Sequence, residues 1–256
     1  MLTGRNGNGR AARMFPFALT CLALLSPGAR ADSDAPITLL YYERPPFFFT
    51  APDGSPHGTE LDPAAQAFQT AGVRYVWQRA PLGRILSIVK ANREQDCVPG
   101  FYKTAERASY AQFTEPMHWD PGLQGLMRAE SILPDEIAAK DLLARTEIHV
   151  LVRKGASYGP YVDSLLAGLP ADRIHELTDE LPVMAKMIVA GRGDIMFAQP
   201  EETRNLIAES GLPADSFRIV KFPDANQPSP TYILCSRKVP ADIIDRLNKA
   251  IAASRD

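Results

Sequence analysis

Arg107 has the clearest chemical use of any side chain in the sequence. It stands three residues after Thr104, in Lys103-Thr104-Ala105-Glu106-Arg107. A threonine at that spacing reads as a helix N-cap, its hydroxyl accepting from the backbone N–H three residues on. Upstream, Asp96-Cys97-Val98 reads as a short apolar strand that breaks at Pro99-Gly100 and passes Phe101 and Tyr102. A strand that spills into a loop and then a helix start is where α/β folds hold ligands. A guanidinium fixed there suits a carboxylate, because its planar fork reaches both oxygens. The purely structural use of the same residue is a salt bridge to Glu106 or Glu115.

A second arrangement is Gly155-Ala156-Ser157-Tyr158-Gly159, a literal G-x-S-x-G between an expected strand and helix. That is the setting of a nucleophilic serine. A hydrolytic triad also needs an acid and a histidine downstream. The only later histidine is His175, in or beside the next expected strand, so a serine hydrolase is the minority reading and an enzyme is not expected. The four histidines (His57, His118, His149 and His175) stand singly and there is no CxxC pair. No metal or cofactor is expected. Glu43, at the end of the first strand, can meet a cationic ligand group or pair with Arg44. Trp119 can line a cleft or pack a connector.

The elements that must position these groups alternate regularly. Residues 37–43 form a continuous apolar run suited to a buried parallel strand, and Arg44-Pro45-Pro46 stops it. Tyr42 and Phe47 lie beside this stop, where aromatics can form a pocket wall. Asp53-Gly54 suggests a small flap. Helix 61–71, strand 73–78, helix 82–92 and strand 96–101 complete a βαβαβ unit, which implies a parallel sheet with right-handed crossovers. Residues 115–128, with Pro116, Trp119 and Pro121, read as a connector. After helix 136–145 the pattern restarts: strand 147–153, helix 157–167, strand 173–177, helix 180–190, strand 194–198, helix 200–210, strand 217–222. Residues 223–230 hold Pro223, Pro228 and Pro230 and read as a second connector before strand 231–236 and helix 240–254. The economical layout is a two-lobe α/β fold. Residues 32–120 and 227–256 form one lobe and 121–226 the other, with a cleft that closes on ligand.

Residues 1–31 read as an export signal. Arg5, Arg10 and Arg13 precede an apolar run, and Ala29-Arg30-Ala31 offers a cleavage site. The run is too short for a bilayer span of about 20 residues, so a soluble, periplasmic product is expected. Cys21 lacks the small residues of a lipidation box. The chain has 28 basic and 30 acidic residues. Four of the basic ones lie in the signal, and the acidic remainder argues against nucleic acid as a partner. Cys97 and Cys235 remain after cleavage. An even count in an oxidising compartment permits one disulfide, or two buried thiols.

Several motifs in this order resemble a known family. They are Pro45-Pro46-Phe47, Gly58 four residues before Asp62, Thr104-x-x-Arg107, Phe113-Thr114-x-Pro116, and Gly191-Arg192-Gly193-Asp194 before a strand. They resemble the type II periplasmic solute-binding proteins, in the family-3 group that includes amino-acid-binding components of ABC importers. The resemblance covers essentially all of the chain after the signal. It implies that Arg107 binds a ligand carboxylate and that Gly100, Phe101 and Tyr102 line the same pocket. It also implies that the turn at Ser157 and Tyr158 supplies donors from the second lobe. Tyr42, Glu43, Phe47 and Trp119 are further candidates. The family usually places an acid for the α-ammonium where this chain has Gln199. That departure argues against a standard α-amino acid and leaves an organic acid, a modified amino acid or a peptide fragment open. The family layout also puts the third strand beside the returning strand, which implies a Cys97–Cys235 disulfide. The implied partners are a small solute and either an ABC permease or a membrane sensor, with the binding protein a monomer.

Overall fold

The computed structural model describes residues 35–178 and 180–255. The expected export signal, with Cys21, lies outside the described residues. Among the described residues no helix is long and apolar enough to cross a membrane.

The chain opens with β1 (Ile37–Tyr41), a small hairpin of β2 (Phe49–Thr50) and β3 (Pro56–His57), then α1 (Leu61–Thr70), β4 (Tyr75–Arg79), α2 (Leu82–Ala91) and β5 (Asp96–Phe101). β1 pairs in parallel with β4 and β5. The short helix α3 (Ala105–Tyr110) leads into β6 (Ala111–Phe113) and β7 (His118–Asp120). The chain then builds a second sheet from β8 (Gln124–Arg128), α4 (Ala139–Leu143), β9 (Val150–Arg153), α5 (Pro160–Ala167), β10 (Ile174–Leu177), α6 (Leu181–Val189), β11 (Ile195–Ala198), α7 (Pro200–Ser210) and β12 (Phe217–Lys221). It returns through β13 (Ser229–Ser236) and ends in α8 (Ala241–Ala253). The first sheet has the order β4-β1-β5-β13-β6, with β7 also on β13; the second has the order β10-β9-β11-β8-β12. The result is a two-lobe α/β fold in which the last strand completes the first sheet.

Two departures from the sequence reading have local causes. The expected helix 157–167 begins only at Pro160. The Asp163 carboxylate accepts from Ser157 Oγ and from the Tyr158 N–H, which holds an open turn, and Gly159 has φ +85°. The connector 115–128 is not irregular throughout, because β8 lies inside its own sheet, antiparallel to both β11 and β12.

Among the described residues, one of the first lobe's two buried clusters lies between its sheet and the pair α1 and α8, and the other gathers Leu82, Ile85 and Val89 of α2 with Leu40, Phe48 and Val98. α8 buries Ile243, Ile244, Leu247, Ala250 and Ile251, one stripe at helical spacing, against Ala64, Ala67 and Phe68 of α1. Each large apolar side chain in such a stripe contributes roughly 1.5–3 kcal/mol. Cys97 and Cys235 sit in this core as a directly opposed antiparallel pair, with Cα atoms 4.0 Å apart, and they are disulfide-bonded. The two passages between sheets touch each other: Leu123 N–H donates to Ala225 O at 2.9 Å. Gly122 is required there, since a Cβ would collide with the backbone of Asn226.

Candidate functional site

The carboxyl ends of the parallel strands in the two sheets face each other. Ligands collect at such ends because the loops that follow carry variable side chains over a rigid base. From the first lobe come Tyr42 and Arg44 after β1, Gly100 to Tyr102 at the end of β5, and Arg107 on α3. From the second come Arg153 at the end of β9, the 156–158 turn, and Glu202 in the first turn of α7. All of these line one cavity of about 40 Å³, room for a few waters rather than a solute.

Thr104 Oγ1 accepts from the Arg107 backbone N–H at 3.2 Å, so the helix is capped as its sequence suggests. Arg107 is 6% exposed. It donates to Tyr102 O at 2.9 Å and, across the cleft, to Gly155 O at 3.0 Å, while lying 4.8 Å over the Phe101 ring. Burial pulls its pKa below the usual arginine value. No carboxylate among the described residues forms a salt bridge with it; Glu106 turns instead to Lys90 at 3.7 Å.

Two further arginines were not singled out from the sequence. Arg44 donates through Nε to Glu202 Oε1 at 2.6 Å and through Nη2 to Oε2 at 3.0 Å, a bidentate bridge between the lobes. Burial alone would lower its pKa, but Glu202, together with Tyr42 and Asp120, outweighs burial and raises it well above the usual value. Arg153 lies 5.1 Å over the Tyr42 ring and reaches Glu180 at 3.4 Å. Its Nη1 is buried without an acceptor. The rule that pointed to Arg107, a cation just past the end of a parallel strand, would have found both.

Tyr102 O–H donates to Asp120 Oδ2 at 2.6 Å, and Thr231 O–H donates to Glu60 at 3.0 Å. Burial, then the nearby Asp120 charge, push the Glu60 carboxyl well above its ordinary range. The Tyr158 hydroxyl oxygen accepts from the Arg153 backbone N–H at 2.9 Å, and burial pushes its phenol up to about 12. Ser157 O–H donates to Asp163 at 2.5 Å. His175 pairs with Leu151 in the sheet and its ring faces His149, so no serine–histidine pair assembles.

Four sequence candidates do not line the cavity. Glu43 accepts from the Thr50 N–H and hydroxyl and from Arg79, which ties it to the β2 hairpin. Phe47 is a buried support, 4.9 Å beneath the Arg44 guanidinium. Trp119 is 45% exposed and stacks with Arg255 at 4.8 Å; alternation along β7 turns Asp120 inward and Trp119 outward. Gln199 is the N-cap of α7 and is 1% exposed, its backbone N–H donating to Glu202. The residue that reaches the cavity from this helix is Glu202, three positions on.

The same architecture occurs in solved binding proteins. An ancestral arginine-binding protein bound to glutamine is 19% identical, with a TM-score of 0.65, covering 86% of this chain and 91% of that one. Holo ArgBP from T. maritima is 17% identical, with a TM-score of 0.67, covering 86% and 90%. A histidine kinase sensor domain with similarity to periplasmic binding proteins is 16% identical, with a TM-score of 0.68, covering 87% and 90%. At these identities the likeness is one of fold. No curated protein matches the chain in sequence. The family model for bacterial extracellular solute-binding proteins, family 3, matches residues 37–256, and the chain belongs to that family.

Proposed function

We propose that this protein captures a small carboxylate-bearing solute in the cleft between its lobes and delivers it to an ABC-type importer. One observation carries the reading. Arg107 is buried at the cleft, and among the described residues its guanidinium donates to neutral carbonyls alone, one from each side. A carboxylate in their place makes charge-assisted bonds roughly twice as strong as neutral ones. The lobes, taken as residues 32–120 with 227–256 and as 121–226, part to admit the solute and close on it. Ser157 and Tyr158 close from the second lobe, while Tyr42, Phe101 and Tyr102 cover the solute body. The extracellular setting of the family and the export signal expected over residues 1–31 support periplasmic work. Two of the structural neighbours bind arginine or glutamine by their descriptions, which supports a solute of amino-acid size. The likeness to a kinase sensor domain favours a second reading, in which the same capture event reports to a membrane receptor.

The test is a thermal-shift screen of amino acids, organic acids and short peptides, followed by titration of each hit. Arg107→Ala should abolish the shift, and Arg107→Lys should keep the fold with weakened binding. An Arg107→Ala protein stabilised as well as wild type by the same solute would refute the assignment.

A further inference from the structure

The charge inventory of the cleft narrows the solute, on the reading that Arg107 receives a carboxylate. Among the described residues, the charged side chains lining the cavity are three guanidiniums (Arg44, Arg107 and Arg153) and one carboxylate, Glu202. A solute carrying one carboxylate and one ammonium leaves that excess of positive charge unchanged. A monocarboxylate removes only part of it. Desolvated charge is costly unless it is paired.

Glu202 is not free to hold an ammonium. Both of its oxygens are engaged by Arg44, and its side chain is 2% exposed. Three aromatic faces at or beside the cavity already carry a guanidinium, while Tyr102, Tyr158 and Phe197 also line it. Arg107 lies over Phe101, Arg153 over Tyr42, and Arg44 over Phe47. The Tyr42 and Phe101 rings stand edge to face with centroids 6.4 Å apart, so two guanidiniums sit on neighbouring rings of one wall.

Arg153 supplies the remaining observation. It is 7% exposed, and its Nη1 donor is buried with no acceptor. Its carboxylate neighbour, Glu180, is 3.4 Å from Nη2 and has a side chain 62% exposed. Solvent screens such a partner, so it compensates little of the buried charge. A buried charged donor without an acceptor is a place where a ligand oxygen gains most.

We propose that the cleft takes a small dianion without an ammonium group. One anionic group sits on Arg107, a second sits on Arg153, and a short spacer joins them. A second carboxylate or a phosphoryl group would satisfy the same donors.

Isothermal titration of the purified protein tests this with four families of probe: succinate and glutarate, monocarboxylates of matched chain length, L-glutamate, and 3-phosphoglycerate. The expected result is that a dicarboxylate or 3-phosphoglycerate binds about tenfold or more tighter than the matched monocarboxylate, and tighter than L-glutamate. Whichever of the two binds best identifies the second group as carboxylate or phosphoryl. Arg153→Gln should erase that gain, with far-ultraviolet circular dichroism and thermal unfolding of the unliganded variant as the folding control. If monocarboxylates bind through Arg107 as tightly as dianions, or if L-glutamate binds tightest, the dianion proposal is overturned and the carboxylate reading survives. If none of these anions binds, both fall together.

Discussion

Replacing both Cys97 and Cys235 with alanine should destabilise the protein by about 4–5 kcal/mol, mostly through the unfolded chain. The disulfide joins residues 138 apart. Closing a loop of that length removes about 5 kcal/mol of chain entropy from the unfolded state. If the second lobe stays folded while the first unfolds, the closed loop is shorter. Leu123 and Ala225 are held together by a backbone hydrogen bond, so only the segments flanking that contact are free. The effective loop is then about 36 residues, worth about 4 kcal/mol. Urea unfolding followed by tryptophan fluorescence is the assay, since the two tryptophans, Trp77 and Trp119, lie on β4 and β7 of the first sheet. Double substitution keeps the comparison free of stray thiols. A loss below about 1 kcal/mol would refute the reasoning, because loop closure predicts several times that in either unfolding scheme.

Arg44→Ala should strand the Glu202 carboxylate. Breaking such a pair in a rigid interior costs about 3–5 kcal/mol, but this pair spans the cleft, and parting the lobes rewets it. Small-angle scattering should therefore show a larger radius of gyration, with a smaller loss of unfolding free energy. Glu60 should make stability fall as pH rises. Its folded carboxyl titrates above its ordinary value of 4.5, held there by burial and Asp120. The folded protein thus keeps a proton that the unfolded chain has released. The stabilisation is full below that ordinary value and is lost as pH climbs through the folded one. Urea unfolding at pH 5 and pH 8 should show the fall, and Glu60→Gln should flatten it. Gly100→Ala should cost more than about 2 kcal/mol, from left-handed strain and overpacking together. Gly100 has φ +73°, and a Cβ there would lie 2.5 Å from the Phe48 ring. Denaturant titration measures the cost.

The alternation of strands and helices was legible because the apolar pattern switches period at each turn, and the last strand's return followed from the two proline-rich passages. Arg107 was legible because Thr104 marks its helix start. Arg44 stands in the same kind of place, just past a strand end, but its tie to Glu202 was not legible, because that partner lies 158 residues away. No local pattern encodes a contact of that range. Gln199 drew attention as the residue just past a strand, but an N-cap turns back on its own helix, while the third position reaches outward. Trp119 misled for a reason of parity: in a three-residue strand, one step decides which side faces the core.

The position of β13 also sets an order of assembly. Its eight residues, Ser229–Ser236, pair with β5, β6 and β7, so the first sheet cannot close until nearly the whole chain is present. The second sheet uses only residues 124–221, an unbroken stretch. A chain emerging from its N-terminus can therefore finish the lobe it began second before the lobe it began first. Until residue 229 arrives, β5 keeps an unpaired edge, which is a template for wrong pairing. A partly emerged chain can thus complete the second sheet while the first still lacks its interior strand β13. It is the form on which holding chaperones would act.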